Sequence, residues 1–361
     1  MGDGSFVDKH IPVQIGIDSD WQQISCDGGS TMALKTNGTL WSCGDNTYGQ
    51  LGDGTNTNRS LLTQIGTDTD WAFVSISFNQ SIALKVNGTI WSWGRNNYGQ
   101  LGDGTNISRN VPIQIGNQND WQYVTTGGGF YLAIKANGTL WAWGRNFQGQ
   151  LGDGTTINRN FPVQIGSGSD WQYVSAGAFH TLALKANGTL WAWGDNNYYG
   201  QLGGGYPNDQ YSSIQIGTQT NWRSISAGGV HTAVINNSDS LMVCGWNQRG
   251  ELGNGTNTGN GPGGDSEWGL NPVSCIPLAK AIFNKQEIFT LFPNPTNSFV
   301  NIQNPNNSAI DKVTVIDLTG KVVFSTINCN GKINIQNLQS GIYVLQIEFD
   351  RKIYYQKLIK Q

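Results

Sequence analysis

Tryptophan returns at a fixed interval along this chain: Trp21, Trp71, Trp121, Trp171 and Trp222 open five units spaced by 50 or 51 residues. Whole phrases return with it. Trp121 to Thr155, WQYVTTGGGFYLAIKANGTLWAWGRNFQGQLGDGT, is the cleanest copy. Self-similarity at such a period restricts the fold more than any local signal, because one unit cannot bury its own faces and must stack on its neighbours. The counts of 49 Gly and 14 Trp fit many tight turns between short, aromatic strands.

Each unit has the same grammar. WQYVSA (Trp171 to Ala176) and HTLALK (His180 to Lys185) read as strands, and Asn187-Gly188 reads as a two-residue type I′ hairpin turn into TLWAWG (Thr189 to Gly194). After a loop of the form NxYGQLGDGT comes a short fourth strand, such as Pro162 to Gly166. Four strands per unit predict the blade of a β-propeller. In TLWAWG, Leu190 and Ala192 face one way and Trp191 and Trp193 the other, so both faces are apolar and the strand lies between two neighbouring sheets. A buried Trp removes roughly 150–250 Å² from water, about 4–6 kcal/mol gross. The tryptophans therefore read as core between blades, not as a ligand stripe.

The two ends of the repeat differ. In the unit from Trp222, Met242 and Cys244 replace the two tryptophans and a Gly-rich loop, Asn257 to Gly269, is inserted, as suits a last blade. Residues 1 to 16 align on Leu51 to Gly66, so residues 1–20 form a partial repeat and further chain is expected upstream. The repeats run to residue 277. After a linker at 278–286, residues 287–361 lose tryptophan and the period, and strand-like runs separated by polar turns predict a small β-sandwich.

Charge and cysteine usage exclude several classes. With 21 basic against 24 acidic residues the net charge is -3, so no basic field draws nucleic acid, and no apolar run is long enough for a membrane helix. The five cysteines show no CxxC spacing. Cys43 and Cys244 hold the slot of Trp93, Trp143 and Trp193 and read as small buried thiols, with a disulfide between them as the alternative should the ring close. His180 and His231 share one slot, but other copies place Ser30, Gln80 and Phe130 there, so no catalytic or metal role follows. Neither a nucleophile elbow nor HExxH is present, and we expect no enzyme, no cofactor and no metal. The loops at Asp53, Asp103 and Asp153 offer one carboxylate each, too few for calcium, and read as aspartates capping their own turns.

Variation within the repeat points to a binding surface. The residue after WxWG runs Asp45, Arg95, Arg145, Asp195 and Trp246, and the loop aromatics are Tyr48, Tyr98, Phe147 and Tyr198 or Tyr199, followed by Gln248 or Arg249 in the last unit. A second variable set, Phe78, Phe130 and Phe179, precedes the second strand. Loops on a rigid scaffold carry binding residues, and exposed aromatics and arginines are common interface anchors. The candidate contacts are Tyr48, Arg95, Tyr98, Arg145, Phe147, Tyr198, Phe130 and Phe179.

Ala178 to Gly205 and its copies resemble the regulator of chromosome condensation repeat, whose family forms a propeller usually of seven blades. Five units and a partial one are present, so the resemblance implies that about two blades lie upstream, with a ring smaller than the family norm as the alternative. The C-terminal runs LFPNPTNSFVNI, VIDLTGKVV, LQSGIYVLQI and KLIKQ resemble the C-terminal sorting domain of the Bacteroidetes type IX secretion system. The residues that carry this likeness are Pro293, Asn294, Pro295, Asp317, Gly320, Lys321, Gly341 and Tyr343. This second resemblance implies a signal peptide upstream, recognition by the secretion machinery, and a secreted or outer-membrane surface location. Together they imply a non-enzymatic propeller that binds a protein or glycan through its blade loops. Alternatives are an inhibitor of an enzyme, for which secreted propellers that cover β-lactamases are a precedent, and a polysaccharide-acting enzyme. Nucleotide exchange on a small GTPase is opposed by the acidic balance, the sorting domain and the lack of a basic tail.

Overall fold

The computed structural model describes residues 2–361 apart from 197–198, 206–207, 254–266, 274–288, 293, 304–309, 318–320 and 350–351. All of its regular elements are strands. The chain divides into two compact units, Met1–Ser274 and Cys275–Gln361. The expected linker at 278–286 lies outside the described residues.

The first unit contains five four-stranded antiparallel sheets, each in sequential order. The third is typical, with strands Trp121–Thr126, Phe130–Lys135, Leu140–Gly144 and Arg159–Gln164. The first strands of successive sheets lie beside one another.

The hydrophobic core lies between sheets. Leu132, Ile134, Leu140 and Ala142 of the third blade pack against Trp171, Val174, Ala183 and Trp193 of the fourth. The same layer recurs between the first and second, second and third, and fourth and fifth blades. Trp93, Trp143 and Trp193 are fully buried, which agrees with their reading as inter-blade core. The indole N–H of Trp93 donates to Gln50 O and that of Trp193 to Gln150 O, both at 2.9 Å, so each ring also ties its blade to the one before. Cys43 and Cys244 are buried free thiols, and Cys244 Sγ lies 3.5 Å from Gln201 O in the same role. Each of the first four blades is further closed by a lysine, whose place Asn236 holds in the fifth. Lys135 Nζ stands 4.8 and 4.9 Å from the Trp121 and Trp141 rings and 3.0 Å from Asp120 Oδ1.

The hairpin between second and third strands is not the two-residue turn expected from Asn-Gly. Gly138 N donates to Lys135 O and Lys135 N to Thr139 O, which makes a three-residue loop with Gly138 alone in the left-handed region, at φ 76°. Asn137 stays at negative φ because its side chain has another task. Its Oδ1 accepts from Thr139 N at 3.1 Å and Thr139 Oγ1 at 2.7 Å. A Cβ on Gly138 would fall on the carbonyl oxygen of Ser169. Gly138→Ala is therefore expected to cost more than about 1 kcal/mol, from backbone strain and this clash together. A drop in the urea midpoint at unchanged slope would show it.

Residues 2–16 lie on the first blade as the loop of one blade lies on the next. Gly4 N donates to Ser60 O, as Gly54 N does to Asn110 O and Gly104 N to Asn160 O. The part of that same face formed by the first strand is uncovered among the described residues: Ile24 is 69% exposed where Val74 and Val124 are buried.

The second unit is a sandwich of two sheets. One contains Thr290–Phe292, Phe299–Gln303 and Lys332–Asn334. The other contains Ile310–Asp317, Val322–Cys329, Gly341–Phe349 and Lys352–Lys360. Val300, Ile302 and Ile333 of the first meet Val313, Val315, Leu345 and Ile347 of the second in one core.

Candidate functional site

The loop after each WxWG strand is rigid because one asparagine side chain organises it. Asn146 Nδ2 donates to Asp153 Oδ1 at 3.0 Å, Thr155 O at 3.0 Å and Ile157 O at 3.2 Å, while its Oδ1 accepts from Leu151 N at 2.9 Å. Asn46 and Asn96 make the same bonds in their blades. The loop aspartate caps its turn, as expected, and is also neutralised locally. Asp153 accepts from Thr155 N and Oγ1 and pairs with Arg159 at 2.7 Å. Burial alone would raise its carboxyl pKa, but the bonds from Thr155 and Arg159 hold it below the ordinary value, and Asp53 and Asp103 behave alike.

On this support sits the variable residue. In the first and fourth blades it is an aspartate held from within: Gln50 Nε2 donates to Asp45 Oδ2 at 2.8 Å and Gln201 Nε2 to Asp195 Oδ2 at 2.9 Å. In the second and third blades it is Arg95 and Arg145, and that bond is lost. Gln150 Nε2 is left buried with no acceptor among the described residues, as are Nε of Arg95 and Nε of Arg145. Neither guanidinium has a carboxylate partner there. Both are instead stacked among rings. The Arg95 guanidinium carbon is 5.0 Å from the Tyr48 ring and 5.9 Å from that of Tyr98. That of Arg145 is 5.5 Å from Tyr98, 5.4 Å from Phe147 and 4.7 Å from Phe179. Tyr98 and Phe147 meet edge to face at 5.7 Å. Tyr199 and Trp246, on the next two blades, lie 6.1 Å apart, with Arg249 5.7 Å from Trp246.

Phe78, Tyr98 and Phe179 line a cavity of about 100 Å³ together with Arg95, Arg145, Gln100, Gly128 and Gly129. Phe78 is 52% exposed and held at φ 44°, followed by Asn79 at 69°. The first blade uses Gly28 and Gly29, at 58° and 91°, in the same two places. A bulky residue there carries strain of about 1–3 kcal/mol. A larger groove of about 460 Å³ runs past Asp53, Arg59, Trp71 and Trp91, but these are scaffold residues whose charges are already paired.

Models of the regulator of chromosome condensation (RCC1) repeat match residues 37–78, 87–134, 137–184 and 187–235, and, in a second form, 21–50, 71–100, 121–150 and 171–201. The chain belongs to the RCC1 repeat family. Its fold is similar to that of human WBSCR16, at TM-score 0.63 and 19% identity over 83% of this chain and 78% of that one. It is also similar to the crystal structure of Kap60 bound to yeast RCC1 (Prp20), at TM-score 0.62 and 18% identity over 94% of this chain and 80% of that one. No curated protein matches the sequence. Residues 290–361 match the secretion system C-terminal sorting domain. This is thus an RCC1 propeller with a type IX sorting tail, secreted to the cell surface or beyond by that machinery.

Within the tail, the sorting motifs hold the end of the chain. Asn294, whose peptide to Pro295 is cis, donates through Nδ2 to Lys357 O at 2.7 Å and accepts from Ile359 N at 2.8 Å. Asp317 Oδ1 accepts from Lys321 N at 3.0 Å, and Tyr343 donates to Gln339 O at 2.8 Å. Gly341 pairs with Lys360 at the start of its strand. Pro293 and Gly320 lie outside the described residues.

Of the loop residues of this RCC1 propeller, Tyr48, Arg95, Tyr98, Arg145, Phe147 and Phe179 come together in one cluster, and Tyr198 lies outside the described residues. Phe130 departs from the expected surface position. It is fully buried, because the glycine three residues earlier leaves room for its ring: a Cβ on Gly127 would fall on the Phe130 ring, as one on Gly177 would on His180. Sequence reasoning overlooked the glutamine. Gln50, Gln100, Gln150 and Gln201 repeat while the aspartate they can bond changes to arginine in two copies, and that mismatch was the available signal.

Proposed function

We propose that this RCC1 propeller is a secreted, non-enzymatic binding module that takes a protein or glycan through the loop face bearing Tyr48, Arg95, Tyr98, Arg145, Phe147 and Phe179. The observation that supports it is the change from an internally bonded aspartate to a stacked, unpartnered arginine in two adjacent blades. A repeat that could have kept its own bond gives it up at two places that share one ring, Tyr98. Buried donors without acceptors cost stability, so their retention is accounted for by a partner that supplies the acceptor. Among solved relatives, the yeast RCC1 structure is a complex with Kap60, so binding a protein is a use to which this fold is put. Two of the three described thiols, Cys43 and Cys244, are buried and pushed up by that burial, and burial pushes the His180 pKa down, whereas Cys26 is exposed.

The test uses the full chain on a glycan array and on an array of surface and extracellular proteins. A specific hit should be lost when Tyr98→Ala or Arg145→Ala is made, while thermal unfolding stays within a few degrees of the parent. A hit that survives both changes would move binding off the loop face, and turnover of an arrayed glycan would replace this reading with an enzyme.

A further inference from the structure

We propose that the cavity between Arg95 and Arg145 receives the carboxylate of an acidic side chain projecting from a partner protein. This rests on the reading of the loop face as the binding surface and adds the chemistry of what it grips. The Nε–H of each arginine is an unsatisfied donor, and in the third blade the repeated glutamine, Gln150, has its Nε2 unsatisfied as well. A ligand that completes them must be an acceptor. The neighbouring blades indicate which acceptor, because there the same glutamine bonds a carboxylate supplied by the chain itself, Asp45 or Asp195. The second and third blades lack that carboxylate, and the partner provides it.

Geometry narrows the class. Rings lie 4.7–5.9 Å from both guanidinium carbons and offer no hydrogen-bond acceptor to either Nε–H, whereas a planar carboxylate can take two parallel bonds from a guanidinium group. The cavity of about 100 Å³ is smaller than the roughly 300 Å³ at the lower end of small-molecule sites. It therefore takes one functional group of a larger body, and the rest of that body lies outside. There it meets Phe78 and Phe147, 52% and 53% exposed, which suit the apolar stem and neighbours of a protein side chain better than the hydroxyls of a sugar acid. The chain carries a net charge of -3, so the arginine pair is a local feature and no general basic field collects polyanions.

The experiment follows the arginine Nε–H signals of the full chain, labelled with ¹⁵N-arginine and assigned through Arg95→Gln and Arg145→Gln. The probes are the blocked amino acids N-acetylglutamate methylamide and N-acetylglutamine methylamide, with galacturonate as a third. We expect the glutamate compound to shift both signals saturably, the glutamine compound to leave them, and either substitution to weaken binding about tenfold, as loss of a charged hydrogen bond does. Equal response to the two amides, or no response to the glutamate compound, overturns the carboxylate proposal. Tighter binding of galacturonate overturns the choice of a protein partner in favour of an acidic glycan. The same two variants on the arrays separate this from the broader reading: an array hit lost on substitution without a glutamate response leaves the binding face standing, whereas an unaffected hit removes both.

Discussion

Replacing Trp193 by alanine is expected to lower the unfolding free energy by about 3–5 kcal/mol, the cost of emptying a large core site. Two losses combine. The ring is fully buried in the layer between the third and fourth blades, 6.1 Å from the Trp171 ring. Its N–H also donates to Gln150 O at 2.9 Å, so truncation strands a carbonyl in the same dry layer. Trp193→Cys should cost less, since Cys244 already holds the equivalent place in the fifth blade with its Sγ 3.5 Å from Gln201 O. Urea titration followed by tryptophan fluorescence and by circular dichroism would report both values. Equal midpoints for Trp193→Ala and the parent would show that the blades are not held by this layer. Trp143→Ala should cost somewhat less, because the Trp143 N–H has no acceptor among the described residues to strand, and a double variant should fall short of the sum, because both rings border the third blade.

The second large effect is a dependence of stability on pH set by one histidine. His180 is fully buried, and that burial, with a smaller push from the charge of His231, lowers its pKa from 6.5 to about 3. Thr232 Oγ1 donates to Gln201 O at 2.7 Å, so its oxygen is free to accept from His180 Nε2 at 3.1 Å, and Nδ1 is left without a partner. The ring is thus neutral in the folded chain, whereas in the unfolded chain it takes a proton near pH 6.5. Between those values the unfolded state binds more protons, so stability falls as pH falls, at up to about 1.4 kcal/mol per pH unit. Above pH 6.5 the effect vanishes. The depressed carboxyls of Asp53, Asp103 and Asp153 add their own loss only below their unfolded value of 3.8, which leaves pH 6.5 to 4.5 as the window for the histidine. His180→Phe, the residue the third blade already uses at Phe130, should flatten the unfolding midpoint across that window. A slope that persists in the variant would assign the effect elsewhere.

The blades were legible because their determinants repeat. A tryptophan every 50 residues fixes the layer between sheets, and the alternation in TLWAWG fixes which side chains enter it. What failed were the places where a residue's role depends on a neighbour that also varies. Phe130 read as a surface aromatic, yet Gly127 lets its ring turn inward, whereas Ser77 in the second blade accompanies the smaller Gln80. Asn-Gly read as a two-residue turn, yet the asparagine side chain is occupied by Thr139, so the glycine alone takes the left-handed place. The candidate arginines were visible as exceptions in their slot. That they stand where a glutamine has lost its acceptor is plain only once the bond between Gln50 and Asp45 in another blade gives the repeated glutamine its meaning.

The asparagine that organises each loop bonds only backbone and side-chain groups of its own turn, and none of those bonds involves the residue just before it. The asparagine frame is thus independent of the variable residue, whose own bond, where it is an aspartate, is to the loop glutamine. Specificity in such a protein can drift one blade at a time, an aspartate exchanged for an arginine or a tryptophan, with no repair needed in the backbone beneath. The array of loops therefore behaves as a row of interchangeable sockets, in which a new recognition pattern is a new order of a few side chains on an unchanged frame.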